Sequence, residues 1–159
     1  MQKITTFLWF KDNAEEAVNL YCSLFKNSKV VSITRYPDSF PDPMMKGKVL
    51  TAVFELDGQQ YMAIDGGPQF PFTEAISLYV NCDDQEEIDR LWYKLTENGG
   101  KEGQCGWLKD KYGLSWQIIP PILGKLLNDP DPAKSQRVMQ AMMKMHKIDI
   151  GALKTAYEG

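Results

Sequence analysis

The sequence predicts an α+β fold of two tandem β-α-β-β-β modules, forming a curved half-barrel sheet with a concave cleft, followed by C-terminal helices. Three observations predict it. Strand, amphipathic helix and three further strands are written twice between residues 4 and 119. The two helices superpose with their apolar positions aligned. Each copy ends in a strand entered through a glycine turn.

The first copy opens with a strand from Ile4 to Phe10 and a turn at Lys11-Asp12-Asn13. A helix follows from about Ala14 to Phe25, with Ala17, Leu20, Tyr21 and Leu24 on one face at helical spacing. Asn13 is the expected N-cap, since its side-chain oxygen can accept from a first-turn amide. Glu15 and Glu16 sit where the helix dipole favours negative charge. Strands are predicted near Val30 to Tyr36, from Val49 to Leu56 and from Gln60 to Asp65. Asp57-Gly58 joins the last two, because such tight turns need positive φ and glycine adopts it without strain.

The second copy begins with a strand from Ala75 to Asn81, and Asp83 or Asp84 caps a helix reaching about Glu97. Ile88, Leu91, Trp92 and Leu95 share its apolar face, and Asn98-Gly99-Gly100 ends it. Short strands near Glu102 to Cys105 and Trp107 to Lys109 follow, then a turn through Gly113 and a last strand from Leu114 to Ile119. Lys109-Asp110-Lys111 reads as an exposed charge cluster in that turn. Superposition sets Leu8-Trp9-Phe10 on Leu78-Tyr79-Val80, the two helices on each other, and Gly58–Ile64 on Gly113–Ile119. The predicted organisation is one domain: module one over about 1–66, a linker or lid over 67–73, module two over about 74–121, and a helical extension over 122–159. In the extension, Pro130 to Pro132 starts a helix expected to run to about Lys147, and Asp149 caps a final one.

Composition narrows the function. A net charge of -3, with no basic run interleaved by aromatics, argues against a nucleic-acid partner. No stretch approaches the ~18 apolar residues of a membrane span, and the N-terminus reads as a strand, so no membrane partner is expected. Cys22, Cys82 and Cys105 are odd in number and far apart. Reduced thiols and a cytoplasmic location are the expectation.

Several segments together carry a family resemblance. They are Phe7-Leu8-Trp9-Phe10, Asn13-Ala14-Glu15-Glu16-Ala17, Gly66-Gly67-Pro68-Gln69-Phe70, Gln104-Cys105-Gly106-Trp107-Leu108-Lys109-Asp110, Ser115-Trp116-Gln117 and Asp129-Pro130-Asp131-Pro132. In these the chain resembles the vicinal oxygen chelate superfamily of glyoxalases, bleomycin-resistance proteins and extradiol dioxygenases. Within it, the chain is similar to the demethylubiquinone methyltransferase-like subgroup. The resemblance implies paired β-α-β-β-β modules, a homodimer, and a divalent metal held on the concave face by His and Glu from the first and last strands of each module. The matching positions here are Thr5, Met62, Ala75 and Gln117, none of them His, Asp or Glu. A divalent cation needs several strong donors to outweigh its dehydration, so no metal site and no cofactor are expected. The single histidine, His146, is expected far from these strands, and alternation sets Asp65 on the face opposite Met62.

The candidate ligand-binding residues of the concave face are Thr5, Trp9, Met62, Phe70, Phe72, Ser77, Tyr79, Trp107, Trp116 and Gln117. Their aromatic rings suit an apolar or planar small molecule and equally suit core packing. Thr5, Ser77 and Gln117 could orient such a ligand by hydrogen bonds. Phe70 and Phe72 belong either to a lid or to a stiff linker with two anchoring rings. Cys105 beside Lys109 could serve as a nucleophile, although a buried inert thiol is the simpler reading without a histidine base. The expected function is metal-independent binding of a small molecule. The alternatives are an enzyme of the superfamily (isomerase, lyase, dioxygenase or transferase) and the methyltransferase that the subgroup name implies. No glycine-rich loop follows an opening strand to receive an S-adenosyl cofactor.

Overall fold

The computed structural model describes residues 2–159. The chain divides into two compact units, Met1–Phe72 and Thr73–Gly159.

Unit one contains β1 (Thr6–Phe10), α1 (Ala14–Leu24), β2 (Lys29–Arg35), β3 (Val49–Leu56) and β4 (Gln59–Asp65). The strands form one sheet in the order β1-β4-β3-β2, with β1 parallel to β4 and the other pairs antiparallel. Alternation divides its side chains cleanly. Leu8, Phe10, Ala52, Phe54, Leu56 and Ala63 are buried on the helix side, against Ala17, Val18, Tyr21 and Leu24 of α1. Burying each of the larger side chains contributes roughly 1.5–3 kcal/mol. The turn between β3 and β4 has Asp57 at φ 48 and Gly58 at φ 78, the paired positive values expected from its sequence.

Unit two contains β5 (Ser77–Asn81), α2 (Gln85–Thr96), β6 (Lys101–Glu102), β7 (Trp107–Lys109) and β8 (Ser115–Ile119), then α3 (Pro121–Leu127), α4 (Pro132–Met142) and α5 (Ile150–Glu158). Its sheet has the order β5-β8-β7-β6, the same topology as the first, with β5 parallel to β8. Ile88, Leu91, Trp92 and Leu95 of α2 are buried as their spacing requires. The three C-terminal helices gather Leu123, Val138, Ile148 and Leu153 around Ile119 of β8.

Four local expectations need correction. Asn13 makes no side-chain cap bond; Asp65, from the end of β4, accepts the Ala14 amide at 2.8 Å and so performs the capping from 51 residues away. Asp110 is buried rather than solvated, because the tight turn aims its carboxylate inward: it accepts the Tyr112 amide at 2.9 Å, the Leu114 amide at 3.1 Å and the Trp116 indole N–H at 2.9 Å. Helix α4 stops at Met142 instead of Lys147, since the following carbonyls leave the helix to accept the Cys105 amide (from Met145, 2.8 Å) and the Gly106 amide (from His146, 2.7 Å). His146 is therefore not remote from unit two's sheet: its Nδ1 lies 2.7 Å from the Gly103 carbonyl, on the loop that feeds β7.

Candidate functional site

The face of each sheet turned away from its helix carries most of the predicted residues. On sheet one, Phe7 pairs with Met62 and Trp9 with Ile64 across β1 and β4, and Met62 pairs in turn with Val53 of β3. Paired residues share a face, so Phe7, Trp9, Met62 and Val53 form one open surface, with Thr5 just before the strand. Asp65 is buried on the opposite side, as alternation predicts, with Oδ1 and Oδ2 taken by the Ala14 and Val49 amides.

On sheet two the register builds two adjacent cross-strand rows. Tyr79, Gln117 and Trp107 form one; Ser77, Ser115 and Lys109 form the other. The Gln117 side-chain amide donates to Ser77 Oγ at 2.9 Å. Trp116 does not join them. Consecutive strand residues point to opposite faces, and Trp116 packs between Leu78 and Leu108 on the helix side, fully buried.

The pairing also shifts the superposition of the modules. Met62 and Gln117 are equivalent; their partners are Phe7 and Tyr79. Phe7, not Trp9, is thus the counterpart of Tyr79, and the two are 50% and 54% exposed. By the same shift Thr5 corresponds to Ser77 rather than to Ala75, which precedes β5. Phe7 escaped selection from the sequence because Trp9 had been laid on Tyr79. The strict alternation Thr5-Phe7-Trp9 was the signal that could have found it.

The positions where the resemblance implies metal ligands become Thr5, Met62, Ser77 and Gln117 under this register, and this donor set does not fit a divalent ion. Among the described residues no three His, Cys, Asp or Glu side chains gather as a metal site. The thiols are placed for packing: burial pushes Cys82 up to about 12 and raises Cys22, while Cys105 Sγ lies 3.6 Å from the Met142 carbonyl.

The segment 66–72 treats its two rings differently. Phe70 meets Trp9 edge-on at 5.0 Å between centroids, and Phe72 meets Phe10 in the same manner at 5.2 Å. The Trp9 indole N–H donates to the Gly67 carbonyl at 2.9 Å, fixing the ring. A cavity of about 230 Å³ in unit one, lined by Asp12, Glu15, Glu16, Arg35, Lys48 and Asp65 among others, contains none of the predicted residues.

Residues 2–119 match the family described as 3-demethylubiquinone-9 3-methyltransferase. The chain belongs to this family. A PhnB protein from Bacillus cereus bearing the same methyltransferase description is 46% identical, with a TM-score of 0.69 over 75% of this chain and 99% of its own. Protein PA1353 from Pseudomonas aeruginosa, 24% identical, shares the fold with a TM-score of 0.59 over 73% of this chain and 95% of its own. Comparison with curated proteins gives no match. The helices after residue 120 lie beyond the family match. Among the described residues no helix is long and apolar enough to cross a membrane.

Proposed function

We infer that the protein binds an apolar or aromatic small molecule on the open faces of its sheets without a metal. One observation carries this reading: both modules hold an aromatic ring half-exposed at the equivalent strand position, Phe7 and Tyr79, beside neutral side chains where the superfamily would place metal ligands. Covering a half-exposed ring removes apolar surface from water and is favourable, and aromatic surfaces with a few polar groups are the usual make-up of small-molecule sites. On sheet two, Ser77, Trp107 and Gln117 accompany Tyr79; on sheet one, Thr5, Trp9 and Met62 complete the candidate surface around Phe7. Phe70 borders it as an anchored ring on Trp9.

Methyl transfer, named in the family description, draws no support from these residues. β1 runs into Lys11-Asp12-Asn13 rather than a glycine-rich loop, and neither sheet has the doubly wound order that receives an S-adenosyl group. We assign the protein to the cytoplasm as a homodimer, with exposed Met139 of α4 and Met143 just after it available to a second copy.

Native mass spectrometry of freshly purified protein tests all of this together. The expected spectrum is a dimer carrying a co-purified organic molecule and no stoichiometric divalent metal. Stoichiometric retention of iron, nickel, zinc or manganese would overturn the reading.

A further inference from the structure

Sheet two holds a polar group that the protein leaves unsatisfied. Ser115, at the start of β8, is fully buried, and its Oγ is the buried side-chain oxygen without a hydrogen-bond partner among the described residues. Such an orphan is costly, so its retention calls for an external partner. Its two cross-strand neighbours are Ser77 on β5 and Lys109 on β7, both on the same face. Side chains paired in this way stand about 4.5–5.5 Å apart at Cβ, well within the reach of a lysine stem.

Lys109 is already engaged. Its ammonium pairs with the carboxylate of Glu74, which lies just before β5. That bond holds the Glu74 carboxyl below the usual carboxylate range, so Glu74 is an anion at neutral pH. An exposed ion pair of this kind adds little stability, and exchanging one carboxylate for another costs little. Glu74 meets only half of the demand: it occupies Lys109 and leaves the Ser115 hydroxyl without an acceptor.

We propose that this face takes the carboxylate of an aromatic acid, with Lys109 Nζ and Ser115 Oγ as donors and Glu74 as the internal carboxylate that the ligand displaces. The proposal rests on the binding reading above and names the ligand class for that surface. The second row supplies the place for the ring. Tyr79, Gln117 and Trp107 lie two residues along the strands from Ser77, Ser115 and Lys109, about 6.6 Å away at the usual strand rise. A carboxylate joined to an aromatic ring by a short chain matches that separation.

The test is titration of the full chain with 3-phenylpropionate and with its neutral isostere 3-phenylpropanamide, followed by amide chemical shifts and by calorimetry. The acid is expected to bind at least tenfold more tightly than the amide. Lys109→Met removes that preference, weakening the acid about tenfold while leaving the amide within about twofold. Ser115→Ala weakens the acid about threefold, and Glu74→Gln strengthens it by a similar factor because the competitor is gone. Equal binding of acid and amide, a preference that survives Lys109→Met, or weaker acid binding by Glu74→Gln would each overturn the carboxylate assignment and leave the aromatic surface standing. If neither probe moves the resonances of Tyr79, Trp107 and Gln117 at millimolar concentration, the binding surface itself falls, and this assignment with it.

Discussion

The two modules share topology, turn geometry and helix face, yet they lock themselves together differently. Module one depends on Asp65, a buried carboxylate at the end of β4 that holds the first amide of α1 at 2.8 Å and the first amide of β3 at 2.9 Å. Module two divides that work. Asp84 caps α2 from the adjacent position, accepting the Glu87 amide at 2.8 Å, while the buried Asp110 accepts from its own turn and from the Trp116 indole N–H. The copies thus kept the apolar pattern, which any amphipathic unit needs, and arrived at separate polar clasps. One long-range clasp couples three elements of module one; the clasps described in module two act within a few residues of their own position.

The sharpest way to break this comparison is to remove the clasps one at a time. Asp65→Ala strands two buried amides and is expected to cost about 3–5 kcal/mol, read as a fall in the urea midpoint. Asp84→Ala removes a local exposed cap and should cost about 1 kcal/mol. Equal losses would mean that the modules are held alike.

Glycine contacts give a second, smaller contrast. Gly106 has φ +85, and a Cβ there would lie 2.5 Å from Ile119 Cδ1 and 3.0 Å from both the Ile118 carbonyl and Ile148 Cγ1. Gly106→Ala is expected to cost about 3 kcal/mol, combining backbone strain with overpacking. Gly66 lacks the backbone constraint, but a Cβ would sit 2.2 Å from the Trp9 ring. Gly66→Ala should cost about 2 kcal/mol by overpacking and shift the Trp9 fluorescence as the ring moves. An unchanged emission spectrum would contradict the fixed ring.

The smallest effect belongs to Lys147–Asp89, which ties the segment after α4 to α2 at 2.6 Å. Both side chains are partly exposed, so Lys147→Met should cost less than about 1 kcal/mol, and high salt should erase the difference. The pair also sets a pH window. Hydrogen bonds from Lys147 and Gln85 lower Asp89, so its share of stability is present above the free carboxylate range and lost as pH falls through the depressed value. The bond to Asp89 raises Lys147, so its share persists below the free lysine range and is lost as pH rises through the raised value. Thermal melts across pH, compared with Lys147→Met, check both limbs.

Most of the fold was legible because periodicity records which side of an element is dry. Ile88, Leu91, Trp92 and Leu95 announced α2, and Asp57-Gly58 announced its turn. What escaped depends on contacts between residues distant in sequence. The role of Asp65 at α1 spans 51 positions, and the arrival of His146 at Gly103 spans 43. Local pattern holds no trace of either. The candidate site was half legible: Ser77, Tyr79 and Gln117 do share a face, whereas alternation sets Trp116 on the opposite face from its neighbour Gln117, which aromatic content alone does not reveal. Ser115 and Lys109 became visible only once strand register was known.

Segment 66–72 has a consequence for folding. Among the described residues β1 is an edge strand of its sheet, paired on one side alone, so backbone bonds from a single neighbour fix its register. Trp9 and Phe10 point to opposite surfaces, and each is met by its own phenylalanine. Sliding the strand by a single step would turn both rings over at once and divorce both couples, so residues 66–72 act as a proofreader that accepts only the native alignment.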